Sequence, residues 1–136
     1  MGETGRGAPA PAPSASGHGR HKYGARRTAY GGAWYDSRGE AAYAQRLDLL
    51  KATGAIRDWR RGGEWVLVDA PPGGRRRDRI TLRPDFEVWP APGRLEVHDF
   101  KGVVTAVFRL KAKLWKARYP DVPLLIVRAD GSETRM

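Results

Sequence analysis

Cysteine is absent from the 136 residues of the chain. This absence excludes disulfide bonds and thiolate-ligated metal sites, and it fits a reducing compartment. No apolar run approaches the roughly 18–20 residues that span a bilayer, and the first residues lack the apolar centre of a signal peptide. A GxxxxGK[ST] phosphate loop is also missing, so ATP hydrolysis is not expected. We therefore expect a cytoplasmic protein without a membrane partner.

Acidic residues are scarce relative to basic ones. The chain has 25 Lys and Arg against 15 Asp and Glu, a formal net charge of +10 at pH 7. Such a surplus indicates a polyanionic partner, nucleic acid before a membrane surface, although a basic surface without a partner is the alternative. The cations occur in blocks, which bind phosphates without reading sequence. The candidate DNA-binding residues are Lys22, Arg26, Arg27, Arg75, Arg76, Arg77, Arg79 and Lys113.

The chain divides into a tail and one domain. Residues 1–21 form a basic segment rich in Gly, Ala and Pro, which buries too little to order itself and is predicted to be disordered. Residues 22–136 form the predicted domain. Its first feature is the Gly31-Gly32 pair between short aromatic segments, which predicts a hairpin turn. Ser37, with Glu40 three residues later, is a capping box that begins a helix, and Gly54 ends this helix.

The remaining pattern predicts one mixed sheet and a second helix. Three segments, 64–70, 80–89 and 94–100, are joined by tight turns and predict an antiparallel meander. A helix over 105–119 follows, and the wholly apolar segment 122–127 is typical of a strand buried on both faces. The core order is therefore helix-strand-strand-strand-helix-strand. This order predicts an α/β fold with a mixed central sheet.

Two aspartates and a lysine interrupt the apolar strands of the meander. Side chains alternate across a strand, so Asp85 of LRPDFEVW and Asp99 of HDFKG can lie side by side if the turn at 90–93 pairs the strands. Lys101 shares a face with Asp99. Adjacent carboxylates repel, and a divalent cation removes that penalty. Mg²⁺ takes one or two protein carboxylates and completes its shell with water and substrate phosphate.

Two further charged residues fall on apolar helix faces. Glu40 lines up with the apolar stripe of the first helix, so it either points at the sheet or completes the capping box with Ser37. Lys111 falls within a predicted apolar face of the second helix, and it either snorkels outward or reaches the carboxylates or a phosphate. The other members of that face are Val107, Phe108, Leu110, Leu114 and Trp115.

Pro84-Asp85 and Asp99-Phe100-Lys101, in this element order, resemble the two halves of the PD-(D/E)XK nuclease motif. A phage and prophage family, domain-of-unknown-function family 1064, is a closer resemblance, and it is regarded as related to Holliday junction resolvases. The matching segments are KYGARRTAY, YDSRGEAAY, PDF, HDFKG, FRLKAKLWKARYP and LLIV, which cover residues 22–127. The resemblance implies a restriction-endonuclease-like three-layer sandwich.

The resemblance also implies residue roles and a cofactor. Glu40, Asp85 and Asp99 would be the metal-site acids, and the Phe100 carbonyl would be a further ligand. Lys101 would orient the attacking water or stabilise charge on the phosphate, and Lys111 would be the supplementary helix residue. The implied metal is Mg²⁺, for which Mn²⁺ can substitute. One departure is that Asp99 stands where Glu is more frequent, which shortens its reach by a methylene.

The implied activity is metal-dependent endonucleolytic hydrolysis of phosphodiester bonds in DNA. The implied substrate is branched or flapped DNA in phage or prophage replication or recombination, in a bacterial or phage-infected cell. Junction resolution would require a homodimer to place paired cuts. Two alternatives stay open. A catalytically inactive nuclease-fold DNA-binding module has no reason to keep the three acids and Lys101, and a basic structural protein leaves them unexplained.

Overall fold

The computed structural model describes residues 27–136. The predicted disordered tail and the candidate DNA-binding residues Lys22 and Arg26 lie outside the described residues. The chain divides into two compact units, Met1–Gly54 and Ala55–Met136. Within the described part, neither helix has the length and apolarity that crossing a membrane requires.

The first unit contains a hairpin, β1 (Thr28–Tyr30) and β2 (Ala33–Tyr35), followed by helix α1 (Arg38–Ala52). The two strands are antiparallel, and the turn between them is Gly31-Gly32, as the sequence predicts. Both glycines have positive φ, 59° and 82°, which glycine adopts without steric cost. The Tyr30 hydroxyl donates a hydrogen bond of 2.6 Å to Asp48 Oδ2, which ties the hairpin to α1.

The ends of α1 follow the predicted signals. Ser37 is the N-cap, and its Oγ accepts a hydrogen bond of 3.1 Å from the Glu40 backbone N–H. At the other end, the Gly54 N–H donates to the Lys51 carbonyl at 3.1 Å, and Gly54 has a φ of 82°. The positive φ explains why the helix ends at a glycine.

The second unit contains two sheets. Its elements in chain order are β3 (Asp58–Arg61), β4 (Trp65–Val68), β5 (Ile80–Leu82), β6 (Phe86–Ala91), β7 (Arg94–Phe100), α2 (Ala106–Arg118), β8 (Leu124–Val127) and β9 (Glu133–Arg135). The larger sheet has the order β3-β6-β7-β8-β9, and β4 pairs with β5 in a separate sheet. Only β7 and β8 run parallel among the strand pairs of the described chain. The fold is therefore mixed α/β with a mixed five-stranded sheet.

The predicted meander is wrong in two places. The predicted strand 80–89 is interrupted at residues 83–85, so β5 pairs with β4, whereas β6 joins the main sheet. Pro84 lies in the break, and proline has no N–H to donate to a strand ladder. The first meander strand of the main sheet is β3, not the predicted segment 64–70. The order α1-β3-β6-β7-α2-β8 nonetheless retains helix-strand-strand-strand-helix-strand.

Helix α2 begins at the N-cap Thr105 and buries part of the predicted face, because Phe108 and Trp115 are buried but Val107 and Leu110 are not. Its buried residues are Phe108, Ala112 and Trp115, which pack into a core with Val97, Leu124, Ile126, Leu67 and Leu82. The predicted face members Val107 and Leu110 are instead 64% and 58% exposed. The helix has two apolar stripes of helical period, and the stripe that carries both aromatic residues is the one against the core, since aromatics bury the most apolar surface.

Candidate active site

Asp85 and Asp99 meet where β6 and β7 pair. In the antiparallel register Phe86 lies opposite His98, so Asp85, which immediately precedes β6, falls beside Asp99. The Asp85 backbone N–H donates to Asp99 Oδ1 at 3.2 Å, although these residues are 14 apart in the chain. In return, the Phe100 backbone N–H donates to Asp85 Oδ2 at 2.8 Å. The two aspartates therefore lie side by side, as strand alternation predicts.

Lys101 completes this cluster. Its Nζ lies 3.1 Å from Asp99 Oδ2, and the side chains of Lys101 and Asp99 are 31% and 4% exposed. The same Nζ lies 4.6 Å from the centroid of the Phe108 ring on α2, a cation–π distance. The Lys101 backbone N–H donates to the Val127 carbonyl at 3.0 Å. The amine is thus held between a buried carboxylate and an aromatic ring, with one side open to solvent.

Gly62 packs closely against the Pro84-Asp85 backbone and hydrogen-bonds to it. The Gly62 N–H donates to the Asp85 carbonyl at 3.0 Å. A Cβ at Gly62 would lie 1.8 Å from the Pro84 carbonyl oxygen, far inside van der Waals contact. Only glycine at position 62 therefore allows the two backbone segments to approach so closely.

Glu87, two residues beyond Asp85, binds the segment around Gly62, and the sequence analysis gave it no role. Its buried carboxylate accepts hydrogen bonds from Arg60 Nε at 2.8 Å, the Gly63 N–H at 3.0 Å and Trp65 Nε1 at 3.1 Å. Burial raises the pKa of Glu87, but these hydrogen bonds and the Arg60 charge outweigh burial and lower its pKa below the ordinary value. The available signal was an acid within the apolar strand sequence DFEVW.

Two other predicted catalytic residues, Glu40 and Lys111, have no described contact that tests their roles. Glu40 belongs to the first unit, in the first turn of α1, and its metal role stays a prediction. Lys111 is half-buried on α2, and within residues 27–136 its side chain makes no hydrogen bond or ion pair. Phe100 contacts Asp85 through its N–H, and the predicted ligation by its carbonyl stays a prediction.

The two aspartates could hold a cation only with non-protein ligands completing its shell. Across residues 27–136, no group of three or more His, Cys, Asp and Glu side chains could hold a metal. Asp85 and Asp99 supply two carboxylates, which matches the one or two that Mg²⁺ takes when water and phosphate complete its shell. Their hydrogen bonds leave capacity, because each carboxylate oxygen has two lone pairs. The pair therefore fits Mg²⁺ as a partial site and not as an all-protein cage.

The Arg-rich segment between β4 and β5 forms a basic surface. Arg76 pairs with Glu64 and Arg79 pairs with Asp69, each at 3.1 Å. An open pocket of about 500 Å³ lies here, lined by Glu64, Arg76, Arg77, Arg79 and Thr81. Each of the two acids pairs with one guanidinium group at a partly exposed position, and Arg77 makes no ion pair within the described chain. Such an arrangement can bind a phosphate oxygen.

The remaining predicted DNA-binding residues are dispersed. Arg75 is exposed, and its backbone N–H donates to Asp78 Oδ2 at 2.7 Å in the short 3₁₀ turn. Arg27, in the first unit, lies with its guanidinium carbon 5.5 Å from the centroid of the Trp34 ring. Lys113 is exposed on α2. Their contact with DNA stays a prediction.

The fold and these residues define a basic α/β protein in which two aspartates and a lysine lie together at the ends of adjacent strands. The chain belongs to the family described as protein of unknown function (DUF1064), whose model matches residues 20–132. No curated protein and no solved structure gives a significant match.

Proposed function

We propose that this protein is a Mg²⁺-dependent endonuclease that hydrolyses phosphodiester bonds in DNA. The observation that carries the proposal is the contact between Asp85 and Asp99, with Lys101 paired to Asp99. These residues belong to the PD-(D/E)XK pattern, and they lie together at the start of β6 and the end of β7. The element order α1-β3-β6-β7-α2-β8 further supports membership of that superfamily and its restriction-endonuclease-like three-layer sandwich.

In this proposal Asp85 and Asp99 hold the cation, with Glu40 as a third acid. The cation, when bound, polarises the scissile phosphate and lowers the pKa of a bound water. Lys101 stabilises charge on the phosphate, because its amine is partly exposed and can turn from Asp99 toward a phosphate oxygen. Gly62 and Glu87 keep the Asp85 backbone in place through the contacts described above.

The substrate in this proposal is DNA, bound through its phosphates. The net charge of +10 and the Arg-lined pocket support a polyanionic substrate. Branched or flapped DNA in phage or prophage replication or recombination is the proposed context, from the resemblance to resolvase-like proteins. Mn²⁺ is expected to substitute for Mg²⁺, and paired cutting at a junction would need a homodimer.

The test uses the full chain with supercoiled plasmid and a labelled four-way junction, in Mg²⁺, Mn²⁺ or EDTA. We expect cleavage in either metal and none in EDTA. Lys101→Ala should lower the cleavage rate about 100-fold or more, the effect typical of a lost acid–base or charge-stabilising group. The matched control is Lys116→Ala, an exposed lysine of α2, which should stay near the wild-type rate. Absence of cleavage in every metal would contradict the nuclease proposal.

A catalytically inactive DNA-binding module is the second candidate. The observation that favours it is the number of donors, because residues 27–136 hold no group of three acids or histidines around one position. Asp99 is, in addition, already paired with Lys101. Binding of the junction without cleavage, weakened steeply by salt and unchanged by EDTA, supports this candidate over the first.

A further inference from the structure

Helix α2 carries a second apolar stripe on the side away from its core-facing residues. Val107 is 64% exposed and Leu110 is 58% exposed. Leu114 is half-buried and Ala117 is exposed. The spacing of these four residues is 3, 4 and 3, the heptad a-d-a-d pattern of a helix that packs along another helix. The core contacts of α2 come mainly from the opposite stripe of Phe108, Ala112 and Trp115. Leu114 also packs against the core at the border of the a/d stripe, whereas Val107 and Leu110 remain mostly exposed among the described residues.

Cations flank the a/d stripe on both sides. With Val107 and Leu110 at a and d, the e and g positions of the heptad hold Lys111, Lys113 and Arg118. No acidic residue occurs between Ala106 and Arg118. Residues at e and g face the e and g residues of a partner helix and determine which partner is accepted. The stripe is therefore complementary to a helix whose own flanks are acidic.

Three other occupants fit the stripe less well. A second copy of α2 would bring lysine and arginine against lysine and arginine, which like-charge repulsion disfavours. A DNA backbone gains nothing from aliphatic side chains such as Val107 and Leu110, since phosphates are bound by charge and hydrogen bonds. A bilayer would receive only a narrow aliphatic edge without Trp or Phe, because the aromatic side of α2 is fixed in the core.

We propose that the a/d stripe of α2 is a docking surface for an amphipathic helix of a partner protein, with apolar residues at a and d and Glu or Asp at e and g. The interaction does not depend on the proposed nuclease activity. It assigns this protein a protein partner besides its proposed DNA substrate.

The test measures binding of the full chain to two fluorescent peptides of about three heptads each, both with Leu at a and d. One peptide carries Glu at e and g, and the other carries Lys there. Fluorescence anisotropy should show binding of the Glu peptide, weakened by salt, and little binding of the Lys peptide. Leu110→Ser should weaken binding roughly tenfold to hundredfold, the effect of losing one buried leucine. Arg118→Glu should weaken binding of the Glu peptide more than the control Lys116→Glu does.

Matched controls exist for both variants. Leu49→Ser changes a leucine of α1 that is 64% exposed and lies outside the stripe, and it should not alter binding. Lys116→Glu changes charge as Arg118→Glu does, but at an outward c position. Failure of the Glu peptide to bind, equal binding of both peptides, or indifference to Leu110→Ser would overturn the proposal. Leu110-dependent self-association in sedimentation, or Leu110-dependent binding of anionic vesicles or duplex DNA in place of the peptide, would overturn it as well.

Discussion

Removal of the Glu87 carboxylate is expected to destabilise the second unit by about 2–3 kcal/mol. In Glu87→Ala, three groups lose their acceptor: Arg60 Nε, the Gly63 N–H and Trp65 Nε1. Arg60 is 61% exposed, so water replaces its lost partner at little cost. The two neutral donors each cost roughly 1–3 kcal/mol when they are left unsatisfied. Gly63 and Trp65 are only half-buried, so each donor costs near the lower end of this range and the sum is about 2–3 kcal/mol.

Urea denaturation followed by tryptophan fluorescence and circular dichroism gives the free energy of unfolding. The matched control is Glu64→Ala, because Glu64 is also an acid paired with an arginine, but its side chain is 33% exposed. That variant should cost less than about 1 kcal/mol, as exposed ion pairs do. Equal losses in the two variants, or a loss below about 1 kcal/mol in Glu87→Ala, would refute the role assigned to the buried hydrogen bonds.

Three other outcomes follow from the same region and from α2. Because folding lowers the pKa of Glu87, the carboxylate stabilises the fold fully above pH 4.5, and this stabilisation is lost as the pH falls through the lower folded pKa. The free energy of unfolding measured against pH should show this loss, and the loss should be absent in Glu87→Gln. Gly62→Ala should destabilise the unit severely, because its Cβ would meet the Pro84 carbonyl at 1.8 Å, whereas Gly102→Ala, with nothing within 4 Å, should be close to neutral in the same denaturation assay. Thr105→Ala removes the N-cap of α2, whose Oγ1 accepts a hydrogen bond of 3.1 Å, and should lower the urea midpoint by the equivalent of about 1 kcal/mol.

The parts of the fold that could be predicted are those specified by neighbouring residues. Ser37 as N-cap, the Gly31-Gly32 turn and the glycine at the end of α1 each follow from the conformation of a few consecutive residues. The proximity of Asp85 and Asp99 was also predictable, because the turn at 90–93 connects their strands directly and alternation then fixes which side chains meet.

The features that escaped prediction depend on pairing between distant segments. β3 has the sequence DWRR, which has no apolar alternation, and it becomes a strand only because β6 pairs with it. The sequence analysis merged two apolar stripes of α2 into one predicted face, and only packing against β4 and β8 shows that Phe108 and Trp115 are buried whereas Val107 and Leu110 are not. Glu87 was missed because its three donors come from residues 60–65, which strand assignment alone does not place beside it.

The main sheet of the second unit ends in two short, charged strands. β3 has four residues, including Asp58, Arg60 and Arg61, and β9 has three, all exposed, with Glu133 and Arg135. Short, charged edge strands are poor templates for the addition of a strand from another molecule. Growth of this sheet into fibrils or strand-exchanged oligomers is therefore disfavoured.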